Sequence, residues 1–146
     1  MKIHLLKSLQ VFIYKLFIMQ TLFLKTAALL GALAVALGAF GAHTLKKILS
    51  DQYLQVFETA VRYQFYHVFA LLTVAILFKQ FPNSQLIWSG RLFCLGILLF
   101  SGSLYLMTVL EALGQQGFKW IGAITPLGGL CLIAGWVLMA VGIVKG

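Results

Sequence analysis

Acidic residues are nearly missing from this sequence. Asp51, Glu58 and Glu111 are the only three in 146 residues. Charged residues of both signs make up 10%, against about 25% in an ordinary soluble domain. The chain is 62% hydrophobic, with a mean hydropathy of +1.00. One small core could not hide that much apolar surface from water, which excludes a soluble domain and points to a multi-span membrane protein. Catalytic signatures are also missing: no GxSxG, no HExxH, no glycine-rich phosphate loop and no paired carboxylates inside an apolar run. Three histidines with so few carboxylates make a poor ligand set, so neither a metal nor a cofactor is expected. Cys94 and Cys131 lack CxxC spacing and lie inside apolar runs, where cysteine packs as a small apolar residue.

What is present is a basic excess, net +8. The lysines and arginines stand between oily runs and form no basic face with interleaved aromatics. They read as charges flanking membrane spans and meeting lipid headgroups; nucleic acid is not an expected partner. The lipid bilayer is. A homo-oligomer or a second membrane protein is compatible with the same composition.

Residues 1–21 form an amphipathic extension. Lys7, Gln10 and Lys15 sort with His4, Ser8, Thr21 and Lys25 to one side of a helical wheel, and Leu5, Leu9, Phe12 and Leu16 to the other. Such a helix is expected in the membrane interface. Met19 is an alternative start. Residues 22–146 form the membrane unit, with spans at about 22–42, 56–78, 91–110 and 120–144. In the first span Ala27, Gly31, Ala34, Gly38 and Gly41 make one stripe of small residues, the surface that lets helices approach closely in lipid. Ser50 is placed to cap a short helix in the connection, and Lys79 to Ser89 reads as a loop around Pro82 and Asn83. In the fourth span Pro126, followed by Gly128 and Gly129, is expected to kink the helix or open its backbone locally.

Four spans bring the end of the first, the start of the second, the end of the third and the start of the fourth to one membrane face. His43, Thr59, Tyr63, Gln64, His67, Ser101, Ser103, Tyr105 and Thr125 then share one half of the bundle, and the other half is expected to be nearly featureless. Polar groups at membrane depth face the bundle interior, because lipid offers them no partner. The cluster reads first as helix packing and second as a small pocket. Seven Lys and Arg residues fall on the side of the termini and four on the other. The positive-inside rule therefore puts both termini in the cytoplasm.

The motifs GAFGAH at Gly38–His43 and TAVRYQFYH at Thr59–His67 come first in a recognisable order. LFSGSLYL at Leu99–Leu106, GAITPLGG at Gly122–Gly129 and AGW at Ala134–Trp136 follow. Together they resemble a family of small bacterial inner-membrane proteins of unknown function, the YgdD/YwdK-like proteins (domain of unknown function 423). The resemblance covers about Thr21 to Val144. It implies a four-helix membrane architecture in the bacterial inner membrane and no particular substrate, cofactor or activity. Relatives begin a few residues before the first span, so Met1 to Ile18 departs from the pattern.

The expectation is thus an all-α, integral membrane four-helix bundle with an amphipathic N-terminal helix. Its role is non-enzymatic, with a polar half-bundle that packs helices or binds a small ligand, lipid or partner. A minimal transporter or channel subunit is the alternative, and a small membrane enzyme the second.

Overall fold

The computed structural model describes residues 2–115 and 119–145. Within the first 15 residues the described side chains are those of Lys7, Gln10 and Tyr14, all exposed. The amphipathic sorting expected of His4, Leu5, Ser8, Leu9, Phe12 and Lys15 lies outside the described residues, as does the middle of the third connection.

Four helices carry the chain: α1, Lys2–His43; α2, Asp51–Gln80; α3, Ser84–Ala112; α4, Ile124–Val144. Each is long and apolar enough to cross a membrane, and no strand occurs among the described residues. The extension and the first span form one continuous α1. No proline or glycine interrupts the sequence before Gly31, so nothing breaks the hydrogen-bond ladder. Its 42 residues span about 63 Å, roughly twice the hydrocarbon core of a bilayer.

The connections are tighter than the sequence led one to expect. The segment between α1 and α2 holds a 3-10 turn, Leu45–Lys47, and the helix expected after Ser50 starts at Asp51 and runs without a break into the second span as α2. Ser50 stands at the N-cap with extended backbone, but its hydroxyl makes no capping bond. The Lys79–Ser89 loop shrinks to the stretch between Gln80 and Ser84, because Asn83 caps α3: its Oδ1 accepts the Leu86 N–H at 3.0 Å. Gly114, at φ 68°, takes the left-handed conformation that ends α3. A 3-10 turn, Lys119–Ala123, leads into α4.

Packing follows chain order: α1 lies on α2, α2 on α3 and α3 on α4. The α3–α4 pair is the most extensive and has the plainest logic. On α3, Leu86, Phe93 and Phe100 recur every seven residues. On α4, Gly142, Gly135 and Gly128 recur at the same interval and receive them in antiparallel order. A Cβ on Gly142 would lie 2.9 Å from Leu86 Cγ, and one on Gly135 2.7 Å from Phe93 Cε1. At Gly128 it would lie 2.8 Å from the Cα of Phe100, so here the two backbones themselves touch. Gly96 reverses the roles, since its hydrogen faces Leu132 of α4. Seven-residue repeats of large against absent side chains let two helices run closely side by side in lipid, where dispersion rather than the hydrophobic effect holds them. The small stripe of α1 works the same way on α2. Ala27 and Ala34 are fully buried, Gly41 faces Phe57, and Gly31 and Gly38 face Val68 and Val61.

Pro126 does not kink the interior of a helix. Because α4 begins at Ile124, Pro126 falls in the first turn, where N–H groups have no intrahelical partner and proline loses nothing. It marks the passage from the 3-10 turn into α4.

Candidate functional site

Gln64 is the centre of the polar cluster. It is 2% exposed, on the face of α2 between α1 and α3. Its Nε2 donates to the Leu30 carbonyl of α1 at 2.7 Å, and its Oε1 accepts the Tyr105 hydroxyl of α3 at 2.9 Å. One amide thus ties three helices. One turn on, His67 is also buried. Its Nε2 lies 3.2 Å from the Trp136 indole Nε1 of α4, and its Nδ1 lies 2.7 Å from the Tyr63 carbonyl oxygen. An indole N–H only donates, so Nε2 accepts and Nδ1 carries the ring proton. The ring sits among aromatics: Tyr63 stacks on it at 6.1 Å, and Phe93 and Trp136 lie at 5.7 and 6.2 Å.

The serines continue the pattern. Ser101 donates to the Ala60 carbonyl of α2 at 2.8 Å. The Ser103 hydroxyl meets Thr125 Oγ1 of α4 at 2.7 Å and donates to Phe100 O at 2.9 Å, so Thr125 is the donor between the two hydroxyls. Two expected members stand apart, and a third, Tyr63, joins through its ring and carbonyl and not through its hydroxyl. His43 is exposed at the end of α1. Thr59 donates to the Gln55 carbonyl of its own helix. Tyr63 is 39% exposed and contributes its ring, stacked on Phe100 at 4.6 Å.

The expectation of a featureless opposite half is overturned. There the Ser89 hydroxyl, fully buried, donates to Gly135 O at 2.7 Å, and Asn83 Nδ2 donates to Gly142 O at 2.8 Å. The reason is that glycine leaves the α4 backbone bare, so its carbonyls accept bonds from the neighbouring helix. Trp136, Ser89 and the packing glycines Gly90 and Gly96 escaped sequence reasoning. The signal that could have found Ser89 and Gly96 is the Ser89–Gly96–Ser103 series, small residues seven apart on one face of α3; Gly90 packs against Phe23 of α1 and no repeat marks it.

No buried side-chain nitrogen or oxygen among the described residues lacks a hydrogen-bond partner. Among them, no group of three His, Cys, Asp or Glu side chains converges. Chemically, then, the cluster ties helices together: each bond between helices contributes about 0.6–2 kcal/mol in a membrane.

Four apolar helices joined by short turns and tied by internal polar bonds define an all-α, multi-pass membrane protein. The profile of a family described as "Protein of unknown function (DUF423)" matches residues 37–129. The chain is 42% identical to the UPF0382 membrane protein YwdK of Bacillus subtilis, over 84% of this chain and 98% of that one. It is 40% identical to a UPF0382 membrane protein of Staphylococcus haemolyticus, over 85% and 96%, and 39% identical to the UPF0382 inner membrane protein YgdD of Escherichia coli, over 82% and 86%. The chain belongs to this family. No solved structure matches it significantly.

Proposed function

We propose that this protein is a non-enzymatic, multi-pass protein of the bacterial inner membrane whose polar residues pin its helices. Its function then lies in what the outer surface contacts. One observation carries this reading: every buried side-chain nitrogen and oxygen among the described residues has a hydrogen-bond partner, and for Gln64, His67, Ser89, Ser101 and Ser103 a partner lies on another helix. Relatives named as membrane and inner membrane proteins support the location. The charge count supports cytoplasmic termini, with residues 1–21 as an extension ahead of the four-span unit.

A transport path would need these groups to face water; each faces a neighbouring helix instead. A Ser–His mechanism would need Ser101 or Ser103 on His67. The serines bond Ala60, Phe100 and Thr125, and His67 bonds Tyr63 and Trp136.

The test is a double-mutant cycle between Gln64 and Tyr105, read as thermal melting in detergent. Gln64→Leu takes the partner from the hydroxyl of half-buried Tyr105 and leaves it in an apolar setting, and is expected to cost about 1–3 kcal/mol. Adding Tyr105→Phe removes the stranded group and is expected to recover much of that loss. Unchanged melting in both single variants would show that the cluster is not a packing device.

A further inference from the structure

Two exposed arginines place the bilayer at different depths. On α3, Arg91 and Glu111 bracket an uncharged run about 30 Å long at 1.5 Å per residue. On α2, Arg62 and Lys79 bracket one of about 26 Å. Either run alone fits a hydrocarbon core of about 30 Å. Packing sets the two runs out of step. The Ser101 hydroxyl of α3 donates to the Ala60 carbonyl of α2 at 2.8 Å, and a serine reaches so little that the two residues share one level. Arg91 lies ten residues before Ser101, and Arg62 two residues after Ala60. The helices are antiparallel, so both steps run toward the side of the termini and leave the arginines about 12 Å apart along the bundle. A second chain of contacts, from His67 to Trp136 and from Gly135 to Phe93, gives about 9 Å.

Lys25 of α1 shares the level of Arg91, because Phe23 lies against Gly90. All three cations are exposed. Centring the bilayer on the run of α3 puts Arg62 near the midplane, and centring it on the run of α2 puts Arg91 and Lys25 there. A charge is costliest at that depth. Helical side chains lean toward the N-terminus. That sends Lys25 and Arg91 toward the side of the termini and Arg62 the opposite way. Arg91 already leans so: its Cζ lies 5.1 Å from the ring centroid of exposed Trp88, one turn nearer the N-terminus, and tryptophan favours the membrane interface. An extended stem carries each charge about 6 Å. The charged heads then stand about 24 Å apart, short of a hydrocarbon core of about 30 Å.

We propose that the protein thins the bilayer around it by about 6 Å and that its preferred lipids carry acyl chains shorter than oleoyl. Headgroups meet Arg62 in one leaflet and Lys25 and Arg91 in the other, which draws the leaflets together. A long-chain lipid must compress or leave a cation in hydrocarbon; a short-chain lipid does neither. The proposal rests on the reading that the outer surface, not the core, is functional.

The full-length protein is reconstituted into vesicles that mix brominated dioleoyl phosphatidylcholine with one unbrominated phosphatidylcholine: dimyristoleoyl, dipalmitoleoyl, dioleoyl or dierucoyl. Bromine quenches tryptophan fluorescence, so relief of quenching measures how well each lipid competes for the protein surface. Both shorter lipids are expected to bind more strongly than dioleoyl, dimyristoleoyl by about threefold. Arg62→Leu moves the first charge of α2 out to Glu58, about 6 Å further along the axis, and is expected to erase that advantage. Arg62→Lys is expected to keep it. Both changes are at an exposed position. Dioleoyl or dierucoyl lipid binding as well as either shorter lipid would overturn the proposal, as would an undiminished short-chain advantage in Arg62→Leu. Gln64→Leu separates this from the packing role: it is expected to lower the melting temperature and keep the short-chain preference. If Gln64→Leu leaves melting unchanged while that preference stands, only the packing role fails.

Discussion

Among single residues, His67 is the most constrained. Two neighbours determine where its proton sits: Trp136 supplies a donor to Nε2 and the Tyr63 carbonyl an acceptor to Nδ1. Nitrogen NMR of the reconstituted protein at neutral pH is expected to show a protonated Nδ1 and a bare Nε2. Trp136→Phe is expected to raise the share of the other tautomer. A ring protonated on both nitrogens in the wild type would contradict this geometry. That Gln64 and His67 belong inside could be argued from the sequence, since lipid offers a polar group nothing. Their partners could not. The acceptor for Gln64 is a backbone carbonyl at Leu30, in a stretch with no polar side chain to mark it. The donor to His67 is a tryptophan midway along α4, whereas tryptophans in membranes concentrate at the interfaces.

At the level of helices, glycine position sets the packing. Gly128 and Gly129 are neighbours of the same type, yet only Gly128 faces the backbone of α3. A Cβ on Gly129 would meet the Phe100 ring at 3.8 Å, an ordinary contact. Gly129→Ala is therefore expected to be neutral or to stabilise by up to about 1 kcal/mol, the helix-propensity gain. Gly128→Ala must push α3 and α4 apart, and overpacking of this kind costs about 1–3 kcal/mol. Melting of the two variants side by side checks this; equal values would mean the α3–α4 register is wrong. The sequence showed the small stripe of α1, because a repeat within one segment is visible there. It did not show that the phenylalanines of α3 repeat in step with the glycines of α4, which is a relation between segments. Pro126 makes the same point about boundaries. Whether a proline kinks a helix or starts one depends on where the helix begins, and hydropathy places that only within a turn.

For the whole molecule, orientation is the property most exposed to test. If the termini are cytoplasmic, the turn between α1 and α2 faces outward. Asp51→Cys, at an exposed position, in a variant with Cys94 and Cys131 replaced by alanine, is expected to react with a membrane-impermeant maleimide in spheroplasts. Labelling only after lysis would reverse the orientation. Membrane class, helical class and the number of spans were legible from composition and hydropathy alone. Those properties are sums over neighbouring residues, and the cost of burying charge in lipid acts on each segment separately. Which helix lies against which, how each is rotated and where every buried hydrogen bond ends are different in kind. They join Leu30 to Gln64, Ala60 to Ser101, His67 to Trp136 and Ser89 to Gly135. Such pairings come into being only when separate helices close to contact distance, where one missing Cβ decides whether two backbones can touch.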